Sequence, residues 1–197
     1  MEQVKGFLGK TDMYLIDLLQ KGYFDDSGSV IDVGSGSGRN LKFFCDLGWL
    51  VMAIDENPDV FFNEVYKVKK LSISTGVGEL GRLDHGLGKF DFVLCNAVLH
   101  FAKDLEQFKS MVEDLIRLQK KGGVIFCRFV SSETLDFPKE KMNMVQILLD
   151  GTERFVVDYD WLISDYLPGL NVAFLEAPKT ISVDGLRSMT TLVLNAE

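Results

Sequence analysis

The sequence predicts a doubly wound α/β fold, a mostly parallel sheet flanked by helices and finished by an antiparallel hairpin. Two observations carry this. From residue 29 to residue 130, short apolar runs of strand length alternate with amphipathic helical stretches, the pattern of successive β-α-β units. Beyond residue 130 the alternation stops. Two longer β segments, Asn171–Val183 and Arg187–Leu194, are then joined by Asp184–Gly185, a pair suited to a tight hairpin turn.

The elements follow in order. Residues 2–22 read as a helix, with Leu8, Leu15, Ile16, Leu18 and Leu19 apolar and Gly22 closing it. Ser29–Val33 is a strand that runs into a glycine-rich turn at 34–38, and a helix from about Arg39 to Leu47 stops at Gly48. Trp49–Ile54 is the next strand, and Asn57–Pro58 opens a helix with Asn as cap and Pro in the first turn. Residues 71–80 make a weaker strand and Phe90–Cys95 a clear one. Asp104 with Gln107 resembles a capping box, and Leu105, Phe108, Val112, Leu115 and Ile116 form the helical stripe after it. Gly122–Gly123 turns the chain into strand Val124–Val130. Helices are expected around Pro138–Leu149 and Tyr159–Leu167.

At 197 residues, 47% hydrophobic and 25% charged, the chain suits one domain with a full core. The net charge of −8 argues against nucleic acid, which selects clustered Lys and Arg. The basic clusters, Lys67–Lys69–Lys70 and Lys120–Lys121, are short and read as helix ends. The N-terminus has no signal-type apolar region and no apolar run is membrane length, so the expectation is a cytoplasmic protein with no membrane contact. Cys45, Cys95 and Cys127 are far apart, without a CxxC or Cys/His cluster. They read as buried small hydrophobes and not as a metal site or disulfide framework.

The strongest chemical signal is Val30-Ile31-Asp32-Val33-Gly34-Ser35-Gly36-Ser37-Gly38-Arg39-Asn40. It follows a strand and opens a helix, and its glycines let a ligand approach the backbone closely. Asp55 lies 21 positions after Gly34 at the end of the next strand, where open α/β folds place a carboxylate for ribose hydroxyls. That pattern alone fits a nicotinamide dinucleotide or another adenosine cofactor. A dinucleotide fingerprint wants Gly or Ala at position 39, which is Arg, and Asp32 would repel a pyrophosphate. A carboxylate there suits a cofactor carrying an ammonium and a sulfonium, so the charge pattern favours S-adenosylmethionine.

Asp32–Gly38 resembles motif I of the class I S-adenosylmethionine-dependent methyltransferases. Ala53–Asn57 resembles the acidic segment ending their second strand, Phe90–His100 their fourth-strand motif, and Lys121–Ile125 their turn into strand five. The resemblance spans roughly residues 29–130. Gly38-Arg39-Asn40 and the compact length also resemble the tellurite-resistance-like branch, which methylates small soft nucleophiles.

The resemblance implies a Rossmann-like, seven-stranded sheet in one methyltransferase domain over residues 1–197. Residues 1–28 would supply a helix covering the cofactor site, 29–130 the cofactor-binding core, and 131–197 the substrate-side helices and the hairpin. It implies that Asp32, Gly34, Ser35, Gly36, Gly38 and Asn40 line the methionine part of S-adenosylmethionine. Asp55, Glu56 and Asn57 would take the ribose and adenosine, Glu79 beside Leu80 the adenine edge, with Asp84 in reserve. Asn96 and Ala97 would lie beneath the transferred methyl.

His100 follows the fourth strand and serves either as a base or as pocket wall; Phe101 beside it would face substrate. His85 sits in a Gly-flanked loop and reads as solvated. Arg128 faces either an anionic substrate or an ordinary salt-bridge partner. A small-molecule methyl acceptor is the expectation. A cofactor-binding module without turnover and a nicotinamide-dependent oxidoreductase are the alternatives, and calorimetry with both cofactors separates them.

Overall fold

The computed structural model describes residues 9–23, 27–55, 72–74 (backbone only), 89–135 and 137–196. Strands β1 Ser29–Val33, β2 Leu50–Asp55, β3 Ser72–Ser74, β4 Phe90–Asn96 and β5 Gln119–Val130 lie parallel in the order β3-β2-β1-β4-β5. The sheet continues with β10 Arg187–Ala196, antiparallel to β5, and β8 Val172–Phe174, antiparallel to β10. These seven strands in line are the expected sheet. An eighth, β9 Lys179–Val183, pairs with the first half of β10 as the expected hairpin. Its turn residues Asp184 and Gly185 have φ of 53° and 69°, the successive left-handed pair of a type I′ turn. The segment expected as one strand over Asn171–Val183 is instead two, β8 and β9.

Strand alternation sends side chains to two covers. Ile31, Val33, Val93, Cys95, Ile125 and Cys127 face α3 (Leu105–Leu118) and the helical stretch 159–170. Val30, Phe92, Leu94, Val124 and Phe126 face α1 (Met13–Gln20) and α2 (Leu41–Asp46). Helices on both faces make the sheet doubly wound. α3 starts where Asp104 accepts from the Gln107 amide at 2.8 Å, while Gln107 Oε1 accepts from Lys103 N at 2.8 Å, a capping box displaced by one residue. Its Phe108, Met111, Val112, Leu115 and Leu118 are buried, each worth roughly 1.5–3 kcal/mol.

Three expectations change. Of the helix expected over residues 2–22, the described part begins at Met13, because Gly9 has φ 54° and Asp12 caps the helix through the Tyr14 amide, and residues 2–8 lie outside the described residues. The helix expected around Pro138–Leu149 is a single 3-10 turn, Lys139–Lys141, followed by β6 Met144–Ile147, which pairs antiparallel with β7 Glu153–Val156. An Asp150–Gly151 turn, with Gly151 at φ 76°, folds β6 back on β7, and pairing overrides helix periodicity there. Lys120–Lys121 lies in β5 and not at a helix end. The helix at Asn57–Pro58, the Lys67–Lys70 cluster and most of the 71–80 strand lie outside the described residues.

The helical stretch after Asp158 begins as α4 (Tyr159–Trp161) and runs on through a π turn and a 3-10 turn to Leu170, as expected for Tyr159–Leu167. At the N-terminal ends of the central strands, Asp91 accepts from Ser29 N (2.8 Å), Ser29 Oγ (2.7 Å) and Lys120 Nζ (2.8 Å), tying β1, β4 and β5 together. Cys95 and Cys127 are buried free thiols and Cys45 is half-buried. Burial pushes Cys127 up to about 12 and raises Cys95 and Cys45, so the buried pair behaves as apolar filling. No described helix is long and apolar enough to cross a membrane.

Candidate active site

The C-terminal ends of β1, β2, β4 and β5 converge on one edge of the sheet, where open α/β folds receive ligands. The turn after β1 hangs on the end of β2. Gly34 N and Ser35 N both donate to the Ile54 carbonyl, at 2.7 and 3.1 Å, and Ser35 Oγ donates to the same oxygen at 3.3 Å. Gly36 N donates to Asp55 Oδ2 at 2.8 Å. The structure thus brings Asp55 to the turn, across two strands, as the spacing suggested.

Gly34 and Gly36 have φ of 74° and 52°, a region that favours glycine. Their surroundings differ. A Cβ on Gly34 would stand 2.2 Å from Val98 Cγ2, whereas one on Gly36 would meet nothing within 4 Å. Gly34 is therefore required by packing, and Gly36 leaves open space in front of the turn.

Asp32 sits beneath the turn on the α1–α2 side of the sheet, 1% exposed, and its Oδ2 has no hydrogen-bond partner. Burial pushes its pKa up to about 8, Arg39 pulls it down, and Asp55 adds to the rise. An uncompensated carboxylate in such a place takes a proton, so at neutral pH Asp32 is largely neutral until a cation arrives.

Asn96 and Ala97 end β4. Ala97 holds φ 65° and donates its N–H to the Arg128 carbonyl at 2.7 Å, a left-handed bend that costs a residue with a Cβ about 1 kcal/mol or more. The bend turns the chain into a 3-10 turn, Leu99–Phe101. His100 is buried there and accepts from Val130 N at its Nδ1, 3.3 Å away, which leaves the neutral ring's proton on Nε2. Burial, with Arg154 and Arg187, lowers its pKa to about 4. His100 is thus a neutral donor wall and a weak base near pH 7. Phe101 is 61% exposed with the Arg154 guanidinium 4.7 Å above its ring, an exposed cation–π pair.

Arg128 lies opposite Asn96 in the β4–β5 register. Its Nη1 reaches Asp12 Oδ2 at 3.1 Å and its guanidinium stacks 5.3 Å over Tyr14. Asp12 is the residue that sequence reasoning missed. Its carboxylate also accepts from Asn96 Nδ2 at 2.9 Å and lies 3.7 Å from Arg39 Nη2. Its backbone N–H donates to Asn40 Oδ1 at 3.0 Å. Asn40, expected to meet the cofactor, spends that oxygen on the segment before α1. The sequence offered one signal, Asp at the start of an apolar helical stripe, which reads as a cap and nothing more. A second cluster, Asp17 with Lys21 (2.6 Å) and Lys179 (2.9 Å), ties α1 to the start of β9. The structure therefore brings together Asp32, Gly34, Ser35, Gly36, Gly38, Asn40, Asp55, Asn96, Ala97 and Arg128. His100 and Phe101 flank them. Glu56, Asn57, Glu79, Leu80, Asp84 and His85 lie outside the described residues.

Residues 31–127 match the family described as a methyltransferase domain. The ribosomal protein L11 methyltransferase of Campylobacter lari is 28% identical over 133 residues, covering 68% of this chain and 45% of that protein. The chain thus spans less than half the length of that curated relative. Among solved structures, an S-adenosylmethionine-dependent methyltransferase from Clostridium acetobutylicum has a TM-score of 0.69 at 14% identity, with 93% of this chain and 89% of that one covered. TehB from Haemophilus influenzae has a TM-score of 0.65 at 18% identity, with 92% and 62% covered. At such identities the likeness is one of fold. The match over residues 31–127 is to a methyltransferase domain, and the sheet built around them has the fold of solved S-adenosylmethionine-dependent methyltransferases.

Proposed function

We propose that the protein transfers a methyl group from S-adenosylmethionine to a small-molecule acceptor, at the strand-end site bounded by the glycine turn, Asn96 and the 3-10 turn of His100. The observation that carries this reading is the buried Asp32 carboxyl, with one oxygen unpartnered, lying under a turn whose Gly36 faces open space. An orphaned acid next to bare backbone suits a ligand that brings positive charge and comes close to the chain. A pyrophosphate brings no positive charge with which Asp32 could pair.

The residues present suit the cofactor. Asp32 and Asp55 hold cationic and hydroxyl-bearing parts, Gly34, Ser35, Gly36 and Gly38 give backbone access, and Asn96 and Ala97 form the floor. The acidic Glu56 and Glu79, with Asn57 and Leu80, are proposed for the adenosine. When bound, S-adenosylmethionine supplies a methyl group on a sulfonium, an electrophile that asks mainly for alignment and dry surroundings. The chain's own work is accordingly positional. Ala97 and its bond to the Arg128 carbonyl fix the floor, α1 and the Asp12 contacts close the site over the strand ends, and neutral His100 and Phe101 wall the acceptor side. Among the described residues no group that accepts protons near neutral pH faces that side, which favours a nucleophile that is soft or already ionised. The net charge of −8 favours a small acceptor over nucleic acid, and we place the protein in the cytoplasm.

The test is calorimetry with S-adenosylhomocysteine and with NAD, followed by a labelled-methyl screen against small thiols, selenium and tellurium oxyanions, amines and carboxylates. Binding of S-adenosylhomocysteine and label transfer to a small acceptor are expected. Binding of NAD alone reverses the reading; cofactor binding without transfer to any acceptor reduces it to a binding module.

A further inference from the structure

Asp12 occupies a place that has the chemistry of an acid-binding site. Its carboxylate, 3% exposed, receives Arg128 Nη1 at 3.1 Å and Asn96 Nδ2 at 2.9 Å, with Arg39 Nη2 at 3.7 Å. Two guanidiniums and an amide converge there on an acid that the chain itself supplies. The donor set is not saturated. Arg128 Nε is buried without a partner, as is the hydroxyl of Thr11 beside Asp12. A guanidinium presents Nε–H and Nη–H as one edge of its planar fork, the edge that grips a carboxylate through two parallel bonds. Asp12 takes Nη1, which lies off that edge, so Nε is left unpaired, and buried donors left unpaired are costly.

We propose that Arg128 selects the acceptor by binding a carboxylate on it, and that Asp12 holds that place in the ligand-free protein. The proposal rests on the methyl-transfer reading above. Position assigns the carboxylate to the acceptor. Arg128 stands on β5, in register with Asn96 at the end of β4, on the side of the site away from the turn after β1. Arg39 belongs to that turn and reaches Asp12 from its exposed side. Exchanging one carboxylate for another leaves the charge of the cluster unchanged, so neither guanidinium is left buried and unpaired, the arrangement that costs most. Asp12 can yield its side chain, giving up its cap on the Tyr14 amide, while its backbone stays tied to Asn40 Oδ1 at 3.0 Å. An uncharged analogue has no means of replacing Asp12 on Arg128.

The test compares mercaptoacetate with mercaptoacetamide, two small thiols that differ in the anionic group. Each is titrated by calorimetry into full-length protein saturated with S-adenosylhomocysteine. Mercaptoacetate is expected to bind at least about tenfold more tightly than the amide. Arg128→Gln abolishes that preference, and Arg128→Lys keeps a part of it through charge alone. Asp12→Asn strengthens mercaptoacetate binding and leaves the amide unchanged, a selective gain that a purely structural role for Asp12 would not give. Equal binding of the two thiols, binding of neither, or a preference that survives Arg128→Gln overturns the proposal. Should Arg128→Gln fail to fold, an acid preference unchanged in both Arg128→Lys and Asp12→Asn overturns it as well. If S-adenosylhomocysteine itself does not bind, the methyl-transfer reading falls and this proposal with it; if it binds and the acid preference is missing, only this proposal falls.

Discussion

Alanine at Gly34 and alanine at Gly36 add the same methyl group to one turn, and the structure separates their effects. Both positions have positive φ, 74° and 52°, so each substitution carries about 1–2 kcal/mol of left-handed strain. At Gly34 the new Cβ would also stand 2.2 Å from Val98 Cγ2, 2.9 Å from Cγ1 and 3.1 Å from Cβ. Forcing Val98 aside adds roughly 1–3 kcal/mol of overpacking. Gly34→Ala is therefore expected to cost about 2–5 kcal/mol in urea titration, against about 1–2 kcal/mol for Gly36→Ala. Val98→Ala removes both γ carbons, so the double variant Gly34→Ala/Val98→Ala should recover most of the overpacking cost as a coupling of about 1–3 kcal/mol. Gly36→Ala should fold and yet bind S-adenosylhomocysteine at least about tenfold more weakly, because its methyl fills the open space in front of the turn. Equal costs at the two glycines, or no coupling with Val98, would refute the packing argument. Unchanged cofactor affinity in Gly36→Ala would reduce the glycines to a tight turn.

Three further outcomes follow from titrating groups. Asp32 has a folded pKa near 8, above its ordinary 3.8, so the native state keeps a proton that the unfolded chain gives up. Its contribution to stability is full below the ordinary value and is lost as pH rises toward 8, by about tenfold in the folding constant per pH unit across that window. Asp32→Asn should flatten that slope in urea titrations at about pH 5 and about pH 8; an unchanged slope counts against burial as the cause. In the wild type near pH 7, a bound ammonium should draw Asp32 to its ionised form, so S-adenosylhomocysteine binding is expected to release protons, read from calorimetry in buffers of different ionisation enthalpy. His100, held to about 4, should leave no inflection in the rate of methyl transfer between about pH 5.5 and 7.5. An inflection there that vanishes in His100→Asn would make it a working base.

The parallel core was legible because its signals are local and redundant. Val30–Val33, Phe90–Cys95 and the α3 stripe each state their own period, and Asp184–Gly185 states its own turn. The 138–149 segment failed for a related reason. Its apolar spacing reads as either period, and the Asp150–Gly151 turn that commits Met144–Ile147 to pairing lies just outside it. The turn chemistry was present in the sequence and outweighed there by the helical count. Gly34, Gly36 and Asp55 could be placed in one site from spacing, since strand ends in a parallel sheet fall on one edge, and the family resemblance added Asn96. Asp12 could not. Its partners Asn40, Asn96 and Arg128 lie 28, 84 and 116 positions away, and no local pattern distinguishes a helix cap that reaches across the sheet from one that only caps. Arg128 was left between two partners for the same reason.

The Ser29–Asp91–Lys120 knot at the far ends of β1, β4 and β5 acts as a surveyor's datum for the whole sheet edge. Strand side chains alternate, so a slip of one residue in any of these three would carry Asp32, Asn96 or Arg128 to the opposite face. The stagger of the reactive edge is thus fixed a strand's length away, by a serine, an acid and a lysine that touch no ligand. Damage at that remote knot would surface as lost recognition before it surfaced as lost fold.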